Sequence, residues 1–130
     1  MRLNLIKFGS VKSTNDTAIK IIRSKKSNAG IIISKNQTKG RGTMGKKWIS
    51  LNGNFFASIF FELKTNMPKA NEFAVINPLI IKKILEKYSK FDIKIKLPND
   101  LLIKGKKVCG ILQELIKIDK KSFLIIGIGI

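Results

Sequence analysis

Residues Gln37 to Trp48 read Q-T-K-G-R-G-T-M-G-K-K-W, placing three glycines, four cations and one tryptophan within twelve residues. No regular helix or strand suits that composition. Gly40, Gly42 and Gly45 permit positive φ and leave backbone amides uncovered. Lys39, Arg41, Lys46 and Lys47 surround those amides with positive charge. Such a segment is suited to closing over an anionic ligand with N–H groups and cations together. Trp48 ends it and opens an apolar run, so its flat face can lie beside a ligand. The same composition also fits a solvated surface loop, and the segment by itself leaves both readings open.

Its flanks decide the architecture. Ile31-Ile32-Ile33 reads as a buried strand that delivers the chain into the loop. After the Asn52-Gly53 turn, Asn54 to Leu63 is a second apolar strand with two aromatic pairs. Upstream, Leu3 to Phe8 alternates as a strand, with Leu3, Leu5 and Phe8 expected on the covered side and Gly9-Ser10 loosening its end. Ser13-Thr14-Asn15-Asp16 is a helix start, Ser13 as N-cap and Asp16 completing a capping box. Ala18, Ile21 and Ile22 then predict a helix over about 14–25. Downstream, apolar spacing predicts a helix from Ala70 to Tyr88, kinked or divided at Pro78. Ile93 to Leu97 is a short strand ended by Pro98-Asn99-Asp100. Leu101 to Ile103, the Lys104-Gly105-Lys106 turn and Val108 to Ile118 form a hairpin, and Ser122 to Ile130 is a last strand. The order is mainly β with two helices inserted: α+β, a mixed and largely antiparallel sheet.

Composition bounds the chemistry. At 130 residues and 44% apolar content the chain is one domain with a sizeable core. No apolar run approaches a membrane span, and the start, Met1 to Val11, lacks the pattern of a secretory signal; a soluble cytoplasmic protein is expected. The single cysteine, Cys109, excludes an internal disulfide and is expected to be a small buried side chain. Histidine is absent, which excludes Ser-His and Cys-His nucleophilic catalysis within this chain. The net charge of +18 invites a nucleic-acid reading. The cations are almost all lysine, whereas bidentate base or phosphate recognition favours arginine, and no recognition helix or aromatic-rich basic strand is present. A nucleic-acid partner is therefore not expected, nor a membrane.

Four segments resemble, in order, the catalytic domain of the biotin–protein ligases of the biotin/lipoate ligase superfamily. Ser13-Thr14-Asn15 matches the S-T-N helix start. Gln37, Gly40-Arg41-Gly42 and Trp48 match the Q-x-x-G-R-G-R-x-x-R-x-W loop. Lys96-Leu97-Pro98-Asn99-Asp100 matches K-W-P-N-D. Lys107-Val108-Cys109-Gly110-Ile111-Leu112 with Glu114 matches K-x-x-G-I-L-x-E, and Gly127-Ile128-Gly129-Ile130 looks like the strand G-I-G-x-N. The resemblance implies a fold of the class II aminoacyl-tRNA synthetase type. It implies activation of biotin by ATP with Mg2+, followed by transfer to a lysine of the biotin carboxyl carrier protein of acetyl-CoA carboxylase; a dimer is one assembly it allows. Ser13, Thr14 and Gln37 are implied to bind the ureido ring, with Gly110 helping. Gly40, Arg41 and Gly42 are implied to hold biotin's carboxylate and the phosphates, with Lys46 assisting at the nucleotide. Lys107 and Arg41 are implied as catalytic, Lys107 between carboxylate and α-phosphate. Trp48 is implied to stack on adenine, and Asn99 and Asp100 to contact nucleotide or magnesium. Glu114 stays outside the implied site, as metal ligand or paired strand carboxylate.

The match departs at three places. Thr43 stands where the loop's second arginine is usual and Lys46 where the next is, so the implied clamp is weaker, because a lysine point charge does not replace an arginine fork. Leu97 replaces a tryptophan. The family also continues beyond G-I-G-x-N and adds a β-barrel domain, so a C-terminally truncated catalytic domain is expected, with no DNA-binding region before it. A biotin-binding fragment without activity and a lipoate ligase are the competing readings; the latter's R-R-x-G-G-G loop is not matched here.

Overall fold

In the computed structural model, which describes residues 1–130, seven strands form one sheet and two helices cover it. The elements run β1 (Asn4–Val11), α1 (Thr14–Arg23), β2 (Ala29–Gln37), β3 (Phe56–Glu62), α2 (Ala70–Leu85), β4 (Ile93–Lys96), β5 (Asp100–Ile103), β6 (Lys106–Ile118) and β7 (Lys121–Gly129). The spatial order is β1-β2-β3-β7-β6-β5-β4. Only β1 and β2 run parallel; joining them needs a crossover, and α1 supplies it. Every other neighbouring pair is antiparallel. The mixed α+β sheet is the architecture expected from the sequence.

Strand periodicity splits the core into two layers. Ile32, Phe60, Phe123 and Ile125 point to one face and bury Ala18 and Ile22 of α1. Phe61, Leu124, Ile126, Leu101, Cys109 and Ile111 point to the other, where Ile81 of α2 joins them. Successive residues such as Phe60 and Phe61 serve opposite layers because side chains alternate along a strand. The helices are also offset: α1 lies over β2, β3 and β7, and α2 over β4, β5 and β6.

That offset corrects the reading of β1. The strand runs on through Gly9-Ser10 to Val11, and it is Phe8 that packs against the α1 layer. Leu3 and Leu5 are 39% and 54% exposed, because they face the side of the sheet that α2 leaves bare at this edge. Pro78 does not divide α2, which is continuous from Ala70 to Leu85 and stops short of Tyr88. Proline removes one helical hydrogen bond, but two others tie the helix to β6: Asn77 Nδ2 donates to Gln113 Oε1 (2.8 Å) and Gln113 Nε2 to the Ala70 carbonyl (2.7 Å). The hairpin turn at Lys104-Gly105 has φ of 50° and 76°, the left-handed pair that matches strand twist.

Candidate active site

The start of α1 opens onto a cleft on the α1 face of the sheet, roofed by the glycine loop. It exists because the strands carry small residues just beyond the helix. Gly127 leaves room for Asn15: a Cβ there would come within 2.5 Å of Asn15 Oδ1. Ser58, fully buried on β3, meets both Thr14 and Asn15.

The helix-start end of the cleft is a chain of neutral polar groups. Ser13 Oγ caps the helix by accepting from the Asp16 amide at 3.3 Å. Gln37 Oε1 accepts from the Thr14 amide at 2.8 Å and lies 3.2 Å from the Thr14 hydroxyl. Gln37 Nε2 donates to Ser50 Oγ at 3.1 Å. The Thr14 and Ser58 hydroxyls are 2.7 Å apart, and Ser58 also meets Asn15 Oδ1, its shortest contact. Two hydroxyl protons serve three contacts. Asn15 Oδ1 can only accept, so Ser58 donates to it, and the single Thr14 proton serves either Ser58 Oγ or Gln37 Oε1.

The far end carries charge. Lys107 Nζ is 2.9 Å from Asp100 Oδ1 and 5.0 Å from the centre of the Trp48 ring. Asp100 Oδ1 is buried and receives no well-angled hydrogen bond, so Lys107 is its one close counter-charge. Trp48 lies flat on the strands. A Cβ at Gly110 or Gly129 would come within 2.5 or 2.6 Å of its ring, and its buried Nε1 has no acceptor. Asn99 is tied to β6, its Nδ2 donating to the Ile111 carbonyl at 2.9 Å.

The loop's own bonding differs from the sequence expectation. It is a small hairpin in which the Trp48 amide donates to the Gly40 carbonyl (2.9 Å) and the Gly42 amide to the Lys46 carbonyl (2.8 Å). The Gly42 N–H is therefore used within the loop. Only Gly45 of the three glycines has positive φ, at 74°. Gly40 is needed for closeness instead, since a Cβ would meet the Trp48 carbonyl oxygen at 2.6 Å.

Arg41 is spent on carboxylates. Its Nη1 and Nη2 donate to Glu114 Oε1 and Oε2 at 2.8 and 2.9 Å, while Nε and Nη2 donate to Asp16 Oδ1 at 3.1 and 2.8 Å. Asp16 consequently does not return the capping-box bond. The Glu114 hydrogen bonds, outweighing the opposing effect of burial, raise the guanidinium well above its ordinary value, with Asp16 adding to the effect. Burial works to raise the Glu114 carboxyl, but bonds from Arg41 and Asn15 prevail and hold it below the usual carboxylate range. Burial, reinforced by Asp100, pushes the Cys109 thiol up to about 12, so it is the inert core residue expected.

The cleft thus gathers Ser13, Thr14, Gln37, Arg41, Gly42, Trp48, Asn99, Lys107 and Gly110. Asp100 stands at its end through Lys107. Lys46 is exposed on the loop's outer side and does not line it. The sequence reading missed Ser58 and gave Glu114 no place. Glu114 was detectable by parity: on β6 it shares a face with Gly110 and Leu112.

This seven-stranded sheet, with its two helices and the cleft at the start of α1, is the architecture of biotin protein ligase catalytic domains. The chain superposes on the biotin protein ligase of Aquifex aeolicus in complex with biotin and ATP with a TM-score of 0.78 and 34% identity, over 98% of this chain and 51% of that one. The corresponding values for the Leishmania major enzyme in complex with biotinyl-5-AMP are 0.80 and 27%, over 100% and 57%. The bifunctional ligase/repressor BirA of Bacillus subtilis is 31% identical across 100% of this chain and 41% of its own length. Residues 8–130 match the biotin/lipoate A/B protein ligase family, and the chain belongs to it. It spans about half the length or less of these relatives.

Proposed function

We propose that this domain activates biotin with ATP and transfers it to a lysine of a biotin carboxyl carrier domain, that of acetyl-CoA carboxylase by analogy with relatives. Biotin's carboxylate oxygen attacks the α-phosphorus, pyrophosphate leaves, and the mixed anhydride biotinyl-AMP forms. The acceptor lysine's neutral amine then attacks the anhydride carbonyl, expelling AMP and losing a proton. Neither step needs an enzyme nucleophile, which suits a chain without histidine. What the protein must supply is positioning of two anions and a counter-charge at phosphorus.

The observation that carries this reading is the cleft's two-ended chemistry. Neutral donors and acceptors at Ser13, Thr14 and Gln37 match a ureido ring, which both donates and accepts. The dithiolane of lipoate offers no such groups and would make no hydrogen bonds with these polar residues. Lys107, at the cleft's charged end, supplies the fixed positive charge where carboxylate and phosphate meet. Trp48 offers its outward face to a base, and Asn99 borders the same end. Magnesium would arrive on the nucleotide's phosphates and neutralise their charge, as such sites need few protein oxygens. Asp100, whose Oδ1 pairs with Lys107 at 2.9 Å, is the carboxylate at that end of the cleft that would contact it; no cluster of three metal-ligating residues exists to hold an ion alone.

Calorimetry with biotin, then biotin with Mg-ATP, followed by mass spectrometry of a carrier-domain lysine, tests the proposal. Biotin binding, adenylate formation and a biotinyl mass increment are expected. Tight lipoate binding without biotin binding would overturn it, and biotin binding without transfer would restrict this chain to the binding half of the activity. Lys107→Ala is expected to abolish adenylate formation, a loss of at least about a hundredfold for a removed charge-stabilising group, while biotin still binds through the ureido end.

A further inference from the structure

We infer that Asp16 and Glu114 are positioning residues for the ligand site, and that they make Arg41 a staple holding the glycine loop closed instead of an anion ligand. The inference rests on the ligase reading above, but its central measurement does not.

Arg41 connects three elements that are far apart in sequence. It stands in the loop, Asp16 in the first turn of α1, and Glu114 on β6, with separations of 25 and 73 residues. The Glu114 contact is a two-pronged fork at 2.8 and 2.9 Å. The Asp16 contact uses Nε and the Nη2 already shared with Glu114. Both carboxylates are themselves fixed. Glu114 Oε2 also accepts from Asn15 Nδ2 at 2.9 Å, and that amide is anchored on the Leu112 carbonyl and on buried Ser58. Asp16 is held by its place in the capped helix turn.

An incoming phosphate or carboxylate would need to draw Arg41 away from two carboxylates. That exchange leaves Glu114, only 25% exposed, without its cation, and unpaired charges in partly dry sites are costly. Lys107 pairs with Asp100 alone and its side chain is 43% exposed; its ammonium has three N–H donors, so an anion can be met without breaking that pair. The cation available to an anion is therefore Lys107. Arg41 acts earlier, by keeping Trp48 on Gly110 and Gly129 and the loop over the cleft.

The protein has one tryptophan, Trp48, at the loop's end, so acrylamide quenching of its fluorescence reports closure with no substrate present. Glu114→Gln, Asp16→Asn and Arg41→Lys are compared with the unaltered chain, each checked for a folded far-UV spectrum. If the staple holds the loop, Glu114→Gln and Arg41→Lys each raise the quenching constant at least about twofold, Arg41→Lys by more because it also loses the Asp16 contact. The Glu114→Gln/Arg41→Lys double variant is no worse than Arg41→Lys alone, since the Glu114 contact is already lost in it. Asp16→Asn, the mildest change, gives a smaller rise in the same direction and keeps the test decisive should Glu114→Gln not fold. With biotin and ATP, opening the loop lowers the binding-competent fraction, so KM for both rises roughly tenfold at nearly constant kcat. Unchanged quenching in Glu114→Gln and Asp16→Asn would overturn the inference. So would a lower KM for ATP in Glu114→Gln, which would mean that a released Arg41 grips the nucleotide. Failure of the unaltered chain to bind biotin would sink the ligase reading and leave the quenching result standing.

Discussion

Trp48 is held by what two residues lack. Gly110 and Gly129 lie on paired strands, directly opposite each other, and the indole covers both. Neither backbone can retreat, because each belongs to the middle of the sheet. A methyl group at either position would meet the ring at 2.5 or 2.6 Å, so the ring must leave. Gly110→Ala and Gly129→Ala are each expected to shift Trp48 emission to the red and to weaken ATP binding by about tenfold, the loss of a base-stacking face of roughly 1–3 kcal/mol. Gly42→Ala is the contrast. Its Cβ would meet nothing closer than Lys46 O at 3.5 Å, and its melting temperature is expected to match that of the unaltered chain. A glycine in the loop and glycines in the strands thus have different reasons for being glycine, though in sequence they look alike.

At the scale of elements, α1, the loop and β6 are joined through one carboxylate. Glu114 is held below its ordinary range in the folded protein, and no such partners exist in the unfolded chain. Its ionised form therefore stabilises the fold fully above the unfolded carboxylate pKa, near 4.3. That stabilisation disappears as pH falls through the lower folded value. Glu114→Gln is expected to lose roughly 1–2 kcal/mol at pH 7, allowing for solvent screening of a partly exposed pair. It should lose less further stability than the unaltered chain between pH 5 and pH 3. Thermal melts across that range check both statements; an acid limb as steep as that of the unaltered chain would mean that another carboxylate controls it. The same elements show what was legible beforehand. Strands and turns follow from alternation and from Lys104-Gly105, which are local signals. Ser13, Thr14, Gln37, Lys107 and Asp100 were singled out through motif order; the structure lines one cleft with the first four and sets Asp100 at its end through Lys107. The bonding of the loop was not legible. Glycines and cations say that a segment can cradle an anion. They do not say that its amides close on its own carbonyls, or that its arginine meets carboxylates 25 and 73 residues away. Long-range ion pairs leave no periodic trace in a sequence.

For the molecule as a whole, the sheet is a partition. The α1 layer and the α2 layer are filled from the same strands by neighbouring residues, yet they bury different helices and share no side chain. The ligand-contacting residues of the proposed function come from the α1 side, the loop above it and the Asn99-Asp100 turn, while Ile111 and Ile128 of the α2 layer also border the cleft. Away from those two residues, the α2 layer acts on function through stability. Ile125 and Ile126 test this, being consecutive on β7 and facing opposite layers. Ile125→Val and Ile126→Val are each expected to cost about 0.5–1.5 kcal/mol. Residues this close in sequence ordinarily couple, but here each methylene is removed from a separate cluster. Their combined cost should therefore equal the sum within about 0.5 kcal/mol. Ile125→Val with Ile32→Val, two members of the α1 layer, should depart from additivity by more, because one cavity relaxes into the other. Urea unfolding of the three single variants, the two double variants and the parent gives these numbers directly, with the slopes showing whether unfolding stays two-state. Ile126→Val should in addition leave KM for biotin unchanged. A coupling between Ile125 and Ile126 as large as that between Ile125 and Ile32 would mean that the strands transmit packing strain across the sheet, and the site could no longer be treated as the property of one face.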